Sequence, residues 1–436
     1  MENFAYLFER FPSFNQTFCL REVEEIIRQG MEPLVLSIRD PQEQTAADFP
    51  EEPKVHYLPS PAELESEAKK LRERHGLPAR MSRLLGRWGE SGDKMRVYEA
   101  AHLGPLLKER GIRHVHVHFA GIAARTAFWI RKFYGIGFSF TGHANDIFRE
   151  TDFAVSLGHM VEAARFVVTP SDFSREWLAA KFPKQAPKIF GVYNGIHVEK
   201  FKTARRDSCS SGALKILSVG RYVEKKGFCH LIEACRLLKE RKIPVHCEIV
   251  GEGPLQEELA AQIARHDLGG AVVLAGPRSQ AELVPLFAGS DLFVLPCVRE
   301  AEGGMDNLPT VIMEAMAAGL PVVSTSVAGV PEMIVDGQTG WIIPEKDPAA
   351  LADAIAGVAR MPDLARQCAE RGQQRAVELF SAEITVRRLK RLLVRFGGVR
   401  PGSQAMKWDP ALKKRLFERW TGLNFGGGIS HRCDGA

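Results

Sequence analysis

The chain has 436 residues, of which 45% are apolar, 25% charged and 8% aromatic. These proportions are ordinary for a folded globular protein and exclude a disordered, fibrous or membrane-embedded chain. The length predicts two domains, and the net charge of +5 is too small to indicate binding to nucleic acid.

The first half of the chain alternates short apolar runs with amphipathic segments. The apolar runs predict strands at 4–8, 33–38, 114–118, 137–140, 166–170 and 189–193. Apolar residues at helical spacing predict helices between them, at 18–27, 62–74, 95–108 and 123–133.

The same alternation restarts after a polar segment that lacks periodicity. Strands are predicted at 215–219, 245–250, 271–275, 292–295 and 321–324, and helices at 228–239, 255–266, 310–318, 349–360 and 364–380. Strands that alternate with helices indicate parallel sheets covered on both faces. The fold class is therefore α/β, with two Rossmann-like domains facing one another across a deep cleft.

The division of the chain follows from these patterns. Residues 1–200 are expected to form an N-terminal domain and 214–380 a C-terminal one, with a linker at 201–213 and a basic helix and tail at 381–436. Ligands of open α/β sheets bind beyond the carboxyl ends of the strands. The chemistry is therefore expected at the strand-to-helix turns.

The cysteines and the first residues of the chain give two indications of the cellular compartment. The eight cysteines form no C-x-x-C pair, which favours free thiols in a reducing compartment over disulfides or a zinc site. The first residues lack the pattern of a signal peptide, and no run of about 18 apolar residues exists. These features predict a cytoplasmic protein.

One candidate anion site is the turn from Gly220 to Gly227, between a predicted strand and a predicted helix. Backbone N–H groups and the helix dipole attract anions at such a position. Arg221 offers a planar fork of donors and Lys226 a point charge, which together suit a diphosphate. A solvated basic loop explains the same residues. The next turn, containing Gly253, is a weaker signal that a tight turn also explains.

The segment 296–331 is the most informative. A loop rich in glycine and acids precedes a helix predicted to begin near Pro309, which leaves amides around Asn307 and Leu308 facing the cleft. Asp306 and Glu314 lie eight positions apart. A carboxylate inside an apolar helix needs a hydrogen-bonded partner. A pair of ligand hydroxyls or an ion pair with a neighbouring arginine would satisfy Glu314.

Two histidines stand at predicted strand ends. His118 closes the run HVHVHF, and His143 opens the turn after the next strand, so either is a candidate for catalysis. His114 and His116 share the period of His118, which is also explained by the polar face of an edge strand. No pair of histidines shares metal-ligand spacing with a carboxylate, so no metal site is predicted. The G-x-S-x-G, P-loop and G-x-G-x-x-G motifs are likewise missing from the expected turns.

The motifs taken together resemble the retaining glycosyltransferases of family four, which have the GT-B fold. The series NGI, SVGRYVEKKGF, IVGEGPL, EAMAAGLPVVSTSVAGVPE and DGQTGWIIP covers roughly residues 190–345 in the expected order. The N-terminal YLFERFPSFNQTFCLREVEEI is similar to members that build exopolysaccharides and colanic acid. VHVHFA and FTGHANDIF match the family's two histidine turns.

The resemblance implies roles for several of these residues. Arg221 and Lys226 would bind the donor diphosphate and stabilise the leaving nucleotide. Glu314 would hold the ribose hydroxyls, and His143 would contact the sugar near its anomeric carbon. His118 would lie on the acceptor side. Further donor contacts are expected at Gly220, Gly253, Asn307 and Leu308.

This sequence departs from the family pattern at two places. Asp306 stands where the family has a glutamate that touches the donor sugar, and the shorter side chain withdraws the carboxylate by roughly 1.5 Å. The first strand lacks the glycine-rich turn that many members use near the acceptor. Arg10, Gln16 and Thr17 are the candidates on that side.

The expected reaction is transfer of a sugar, with retention and without a metal or other cofactor, from a nucleotide-diphosphate sugar to a polysaccharide or lipid-linked saccharide. Two alternatives remain open, a phosphorylase-like enzyme of the same fold and a nucleotide-binding homologue without catalysis. The last fifty residues carry twelve basic and three acidic side chains. After Gly397 they suit contact with a membrane surface or a partner, and a disordered end after Gly426 is the alternative. The basic amphipathic helix at their start is expected to pack on the first domain.

Overall fold

The computed structural model describes residues 4–13, 16–41, 54–75, 92–149, 151–202 and 212–400. They form two parallel sheets, each covered by helices, which confirms the α/β class and the two Rossmann-like units. No helix among these residues is both long and apolar enough to cross a membrane.

The first sheet has seven strands in the order β3-β2-β1-β4-β5-β6-β7. They are β1 (Ala5–Arg10), β2 (Leu34–Arg39), β3 (Val55–Tyr57), β4 (His114–His118), β5 (Gly137–Thr141), β6 (Val167–Thr169) and β7 (Ile189–Gly191). The short strand β3 was not predicted, because it is a partly exposed edge strand of three residues and carries no apolar run.

The helices of the first half connect these strands. They are α1 (Thr17–Arg28), α2 (Pro61–His75), α3 (Lys94–Glu109), α4 (Ile122–Tyr134), α5 (Ala144–Phe148), α6 (Leu157–Ala163), α7 (Asp172–Lys181) and α8 (Val198–Phe201). Helices α5 to α8, which have at most ten residues each, were not predicted. So few residues display little helical periodicity.

The second sheet has six strands in the order β10-β9-β8-β11-β12-β13. They are β8 (Leu214–Val219), β9 (Val245–Val250), β10 (Val272–Leu274), β11 (Leu292–Leu295), β12 (Val322–Thr325) and β13 (Trp341–Ile343). In both sheets the strand order reverses at the first strand of the unit, between β1 and β4 and between β8 and β11. Such switch points are where α/β sheets bind ligands.

The second sheet is covered by α9 (Phe228–Glu240), α10 (Gln256–Arg265), α11 (Gln280–Gly289), α12 (Thr310–Ala317), α13 (Val330–Met333), α14 (Pro348–Arg360) and α15 (Pro362–Phe380). The predicted start near Pro309 is confirmed, since this proline is the residue just before α12. Helix α12 is almost entirely buried, which explains its apolar sequence.

The chain then returns to the first sheet. Helix α16 (Ala382–Leu392) continues into a π-helical turn, Leu393–Gly397. Val386, Leu389 and Leu393 are buried in the same apolar cluster as Tyr6 of β1 and Val23 of α1. The expectation that this basic helix packs on the first domain is confirmed. Residues 401–436, for which membrane or partner contact and a disordered end were the open interpretations, lie outside the described residues.

Candidate active site

The predicted phosphate turn lies between β8 and α9. It contains a 3₁₀ turn, Glu224–Lys226, and ends at Gly227, which has φ of 67° and precedes α9. A Cβ atom at Gly227 would lie 1.9 Å from the carbonyl oxygen of Pro296, so only glycine fits there. This close approach joins the turn to the loop that follows β11.

Both lysines of the turn are paired with Asp306 of that loop. The Lys226 Nζ lies 2.5 Å from one carboxylate oxygen of Asp306, and the Lys225 Nζ lies 3.1 Å from the other. Burial favours a neutral Lys226, but the charge of Asp306 outweighs it and raises the pKa of this lysine. Burial likewise favours a protonated Asp306, but the charges of Lys226 and Lys225 lower its pKa. Both partners are therefore ionised, and the anion in the turn is supplied by the protein itself.

The other predicted phosphate ligand differs from Lys226 in exposure. Arg221 is exposed, whereas Lys226 is partly buried. The aliphatic part of Lys226 lies against Gly220, where an added Cβ would be 3.1 to 3.4 Å from it. Gly253 lies against the backbone of this turn. A Cβ there would lie 2.6 to 2.9 Å from backbone atoms of Tyr222, so the glycine lets the two turns pack together.

Glu314 is held by an arginine from the opposite domain. Nη2 of Arg21, on α1, lies 2.6 Å from Oε1 of Glu314, on α12, and both side chains are about 95% buried. The ion-pair alternative is thus the one observed. Burial raises the pKa of Glu314 in spite of the charge of Arg21. Nε and Nη1 of Arg21 are buried and have no hydrogen-bond partner among the described residues.

Asn307 and Leu308 lie where the two domains touch. The Asn307 side-chain oxygen accepts a hydrogen bond of 2.6 Å from Ser171, which precedes α7. Its carbonyl oxygen accepts one of 2.9 Å from Gly329. Leu308 is buried, and a Cβ at Gly329 would lie 3.0 Å from it. These contacts fix the loop before α12 against the first domain.

The two candidate histidines are neighbours. His118 Nδ1 lies 3.2 Å from His143 Nε2, and His118 Nε2 lies 3.0 Å from Oε1 of Glu22 on α1. The His143 ring packs between Phe18 and Phe119, with centroid distances of 4.9 and 4.5 Å. Arg21 and Glu22 are consecutive on α1, so one helix contacts both Glu314 and the histidine pair.

Asp146 lies next to this pair at the start of α5. Its carboxylate accepts a short hydrogen bond from the backbone N–H of Ala120. Burial raises the pKa of Asp146 to about 7, although backbone N–H groups of Ala120 and His143 act in the opposite direction. This carboxyl group ties the two histidine turns together.

The interpretation of His114 and His116 as the polar face of an edge strand is wrong. Strand β4 lies in the middle of its sheet, between β1 and β5, and both side chains are completely buried. They share the Ser139 hydroxyl, at 2.8 and 2.7 Å, and His116 also contacts Thr141 at 3.1 Å. These hydrogen bonds to hydroxyl groups of β5 offset the free-energy cost of burying the two imidazole rings.

The carboxylate and ring nitrogens of Glu22, His116 and His118 lie within 4.8 Å of one another. However, both ring nitrogens of His116 face hydroxyl groups, and those of His118 face Glu22 and His143. These contacts form a hydrogen-bond network, in which each ring nitrogen already has a partner.

The acceptor-side candidates lie around the end of β1. Arg10 is the last residue of β1 and is exposed, whereas Gln16 and Thr17 are half-buried at the start of α1. The Gln16 N–H donates to the Ser13 carbonyl oxygen at 2.9 Å, which closes the turn into the helix.

Sequence reasoning missed Arg21, Glu22, Lys225 and Glu332. Glu332, on α13, accepts hydrogen bonds of 2.7 Å from the backbone N–H groups of Asp172 and Phe173, at the first turn of α7. The available signal for Arg21 and Glu22 was a charged pair within the apolar spacing of α1. Their partners are 293 and 96 positions away, so the pattern could not identify them.

Comparison with known proteins agrees with this geometry. The profile of the Glycosyltransferase Family 4 domain matches residues 16–200, and that of the Glycosyl transferases group 1 domain matches 201–375. The amylovoran biosynthesis glycosyltransferase AmsK of Erwinia amylovora is 31% identical over 369 residues, which cover 79% of this chain and 87% of AmsK. The putative colanic acid biosynthesis glycosyltransferase WcaL of Escherichia coli K12 is 34% identical over 200 residues, 46% of this chain and 49% of WcaL.

Solved structures show the same architecture at low sequence identity. HepE from Anabaena in complex with UDP superposes with a TM-score of 0.66 at 18% identity, covering 90% of this chain and 99% of that one. Two facing Rossmann-like units of this kind have the GT-B architecture. The sequence matches place the chain more narrowly, because it belongs to the family 4, or group 1, glycosyltransferases.

Proposed function

We propose that the protein transfers a sugar from a nucleoside-diphosphate sugar to a saccharide or lipid-linked acceptor during exopolysaccharide assembly. The observation that carries this proposal is the pairing of Lys225 and Lys226 with Asp306 at the switch point of the second sheet. Two partly buried cations facing one carboxylate form a site that a diphosphate can occupy in its place. The activities named for AmsK and WcaL support the class of product.

The chemistry assigned to the site needs no metal ion. The lysines would stabilise the negative charge that develops on the leaving diphosphate, which is the task of a divalent cation in other transferases. The leaving phosphate would then assist attack of the acceptor hydroxyl from the same face, so the sugar carbon keeps its configuration. His143 would contact the donor sugar and Glu314 the ribose, once the ribose replaces Arg21 as its partner.

A calorimetric titration with UDP, GDP and ADP tests the donor site. We expect one of them to bind, and Lys226→Ala to weaken that binding tenfold or more, about 1.4 kcal/mol. Lys239→Ala is the matched control, because this lysine lies on α9 and pairs with exposed Asp267. Absence of binding to all three nucleotides would contradict the proposed phosphate site.

Product analysis separates the alternatives. Release of the nucleotide from its sugar conjugate in the presence of EDTA supports metal-independent transfer. Turnover with a sugar phosphate and no nucleotide would instead identify a phosphorylase-like enzyme. Nucleotide binding without hydrolysis or transfer would identify a non-catalytic homologue.

A further inference from the structure

A chain of hydrogen bonds connects β1 and α1 to the two histidine turns. The Tyr6 hydroxyl donates to Oε1 of Glu22 at 2.7 Å, and the same oxygen lies 3.0 Å from Nε2 of His118. Nδ1 of His118 lies 3.2 Å from Nε2 of His143. The His118 side chain is completely buried, its two ring nitrogens lie within hydrogen-bond distance of one carboxylate and one imidazole, and the Cys19 thiol is a further neighbour.

The charges around His118 determine which atoms carry protons. Burial alone would lower the pKa of His118, but the neighbouring Cys19 and the carboxylate of Glu22 raise it well above its usual value. Burial raises the pKa of the Cys19 thiol, so at pH 7 this thiol is neutral and Glu22 supplies the negative charge beside the ring. Burial alone would raise the pKa of Glu22, but His118 lowers it. Burial, and then the charge of His118, lower the pKa of His143. The titratable groups that face His118 are Glu22, Cys19, His116, His143 and Asp146.

When His118 is an imidazolium, the hydrogen bonds between Glu22, His118 and His143 can have only one set of directions. Its Nε2–H donates to Glu22 and its Nδ1–H donates to His143. Nε2 of His143 must then be an acceptor, which places the proton of this neutral ring on Nδ1. A neutral His118 would permit the reverse order, with Nε2–H of His143 as the donor. The carboxylate of Glu22 therefore decides the tautomer of a residue that it does not touch.

We propose that Glu22 is a positioning residue which, through His118, holds His143 as the neutral Nδ1–H tautomer. This inference rests on the proposed function, because His143 is the group expected to contact the donor sugar. A ring fixed in this state can donate a hydrogen bond from Nδ1 to a sugar oxygen. No proton is transferred in this role.

The substitution Glu22→Gln tests the relay. The glutamine oxygen can still accept from Tyr6 and from Nε2–H of His118, but it no longer stabilises a positive ring. His118 should become neutral with its proton on Nε2, and its Nδ1 should accept. His143 should then switch to the Nε2–H tautomer.

The measurement is two-bond ¹H–¹⁵N correlation spectroscopy of the full chain labelled with ¹⁵N-histidine, at pH 7 without ligand. His118→Asn and His143→Ala assign the two rings. We expect the wild type to show a doubly protonated His118 and an Nδ1–H His143, and Glu22→Gln to show the switch. Glu24→Gln is the matched control, because this carboxylate lies on the same helix but contacts His197.

Two outcomes would overturn the proposal. One is a wild-type His143 that is charged or protonated on Nε2, a result that does not depend on the folding of any variant. The other is a Glu22→Gln spectrum in which both rings keep their wild-type states.

A second measurement separates this inference from the proposed function. Glu22→Gln should lower kcat for donor hydrolysis roughly tenfold, the effect of one lost hydrogen bond in the transition state. The affinity for UDP, or whichever nucleotide binds the wild type, should stay within about twofold. Absence of nucleotide binding by the wild type would contradict the proposed function but leave the tautomer result intact.

Discussion

Arg21 of the first domain and Glu314 of the second form a 2.6 Å ion pair that is buried on both sides. The carboxylate that the family resemblance assigns to the ribose is thus occupied by a cation from across the cleft. Within the second domain, Lys225 and Lys226, which are proposed to bind the donor diphosphate, are likewise paired with a protein carboxylate, that of Asp306. In both places, a protein group fills the position proposed for part of the donor.

The Arg21–Glu314 pair gives a prediction about stability. Arg21→Met leaves a buried carboxylate without its counter-charge, which should lower the free energy of unfolding by about 3–5 kcal/mol. The double substitution Arg21→Met/Glu314→Gln should recover most of this loss, because it removes both charges. Urea denaturation of the wild type, both single variants and the double variant measures the coupling. Arg241→Met, which breaks an exposed pair with Asp353, should cost at most about 1 kcal/mol. A loss in the double variant equal to the sum of the two single losses would show that the pair is not coupled.

The proposed donor site makes Asp306 a competitor of the donor diphosphate for Lys226. Asp306→Asn removes the competing charge, so the free nucleoside diphosphate should bind about three- to tenfold more tightly, 0.7–1.4 kcal/mol in binding free energy. The transfer rate should fall if this carboxylate also contacts the donor sugar. Calorimetry at one fixed ionic strength measures the affinity, with Asp353→Asn as the control. Weaker nucleotide binding by Asp306→Asn would mean that the carboxylate organises the lysines instead of competing for them.

Glu332 of the second domain caps helix α7 of the first domain and so joins the two domains. Glu332→Ala removes two hydrogen bonds to the N-terminal turn of α7, a change of about 1–2 kcal/mol. The backbone amides of Asp172 and Phe173 should then exchange faster with solvent, which hydrogen-exchange mass spectrometry can detect. Glu345→Ala is the control, because its carboxylate accepts from the Arg299 N–H within the second domain. Unchanged exchange at the start of α7 would contradict this role.

Acid should destabilise the first domain through His114 and His116. Burial lowers the pKa of each to about 3 from an ordinary value of 6.5. The folded state therefore binds fewer protons than the unfolded state between these values, so stability is complete above pH 6.5 and is lost as the pH falls toward 3.

The expected loss between pH 7 and pH 5 is about 2 kcal/mol for each of these histidines. His114→Phe keeps the stacking on Phe166 and should remove about half of this pH dependence. Val115→Ala, at a buried position on the same strand, should lower stability equally at both pH values. Unfolding free energies at pH 5 and pH 7 provide the test, and identical pH dependence in wild type and His114→Phe would contradict it.

Local patterns predicted much of the fold. The strands of both sheets were recognisable where apolar runs were long, and the three-residue strands β3 and β13 and the short helices were not. The paired acids around α12 and the basic turn before α9 were also recognisable, because phosphate and hydroxyl recognition require particular residue types next to a strand end. The relation of the histidines to a sheet edge was misjudged, since a run of alternating histidines does not specify which strands lie beside it.

The sequence by itself determined two parallel α/β units, the basic turn and the carboxylates, since these depend on periodicity and on residues that are close along the chain. Only the tertiary structure decided which partners those groups have. Arg21 contacts Glu314 and Glu22 contacts His118 because α1 lies against both α12 and the end of β4. Hydrogen bonds and ion pairs act over about 3 Å, and chain separation carries no information about such distances until the sheets and helices have packed.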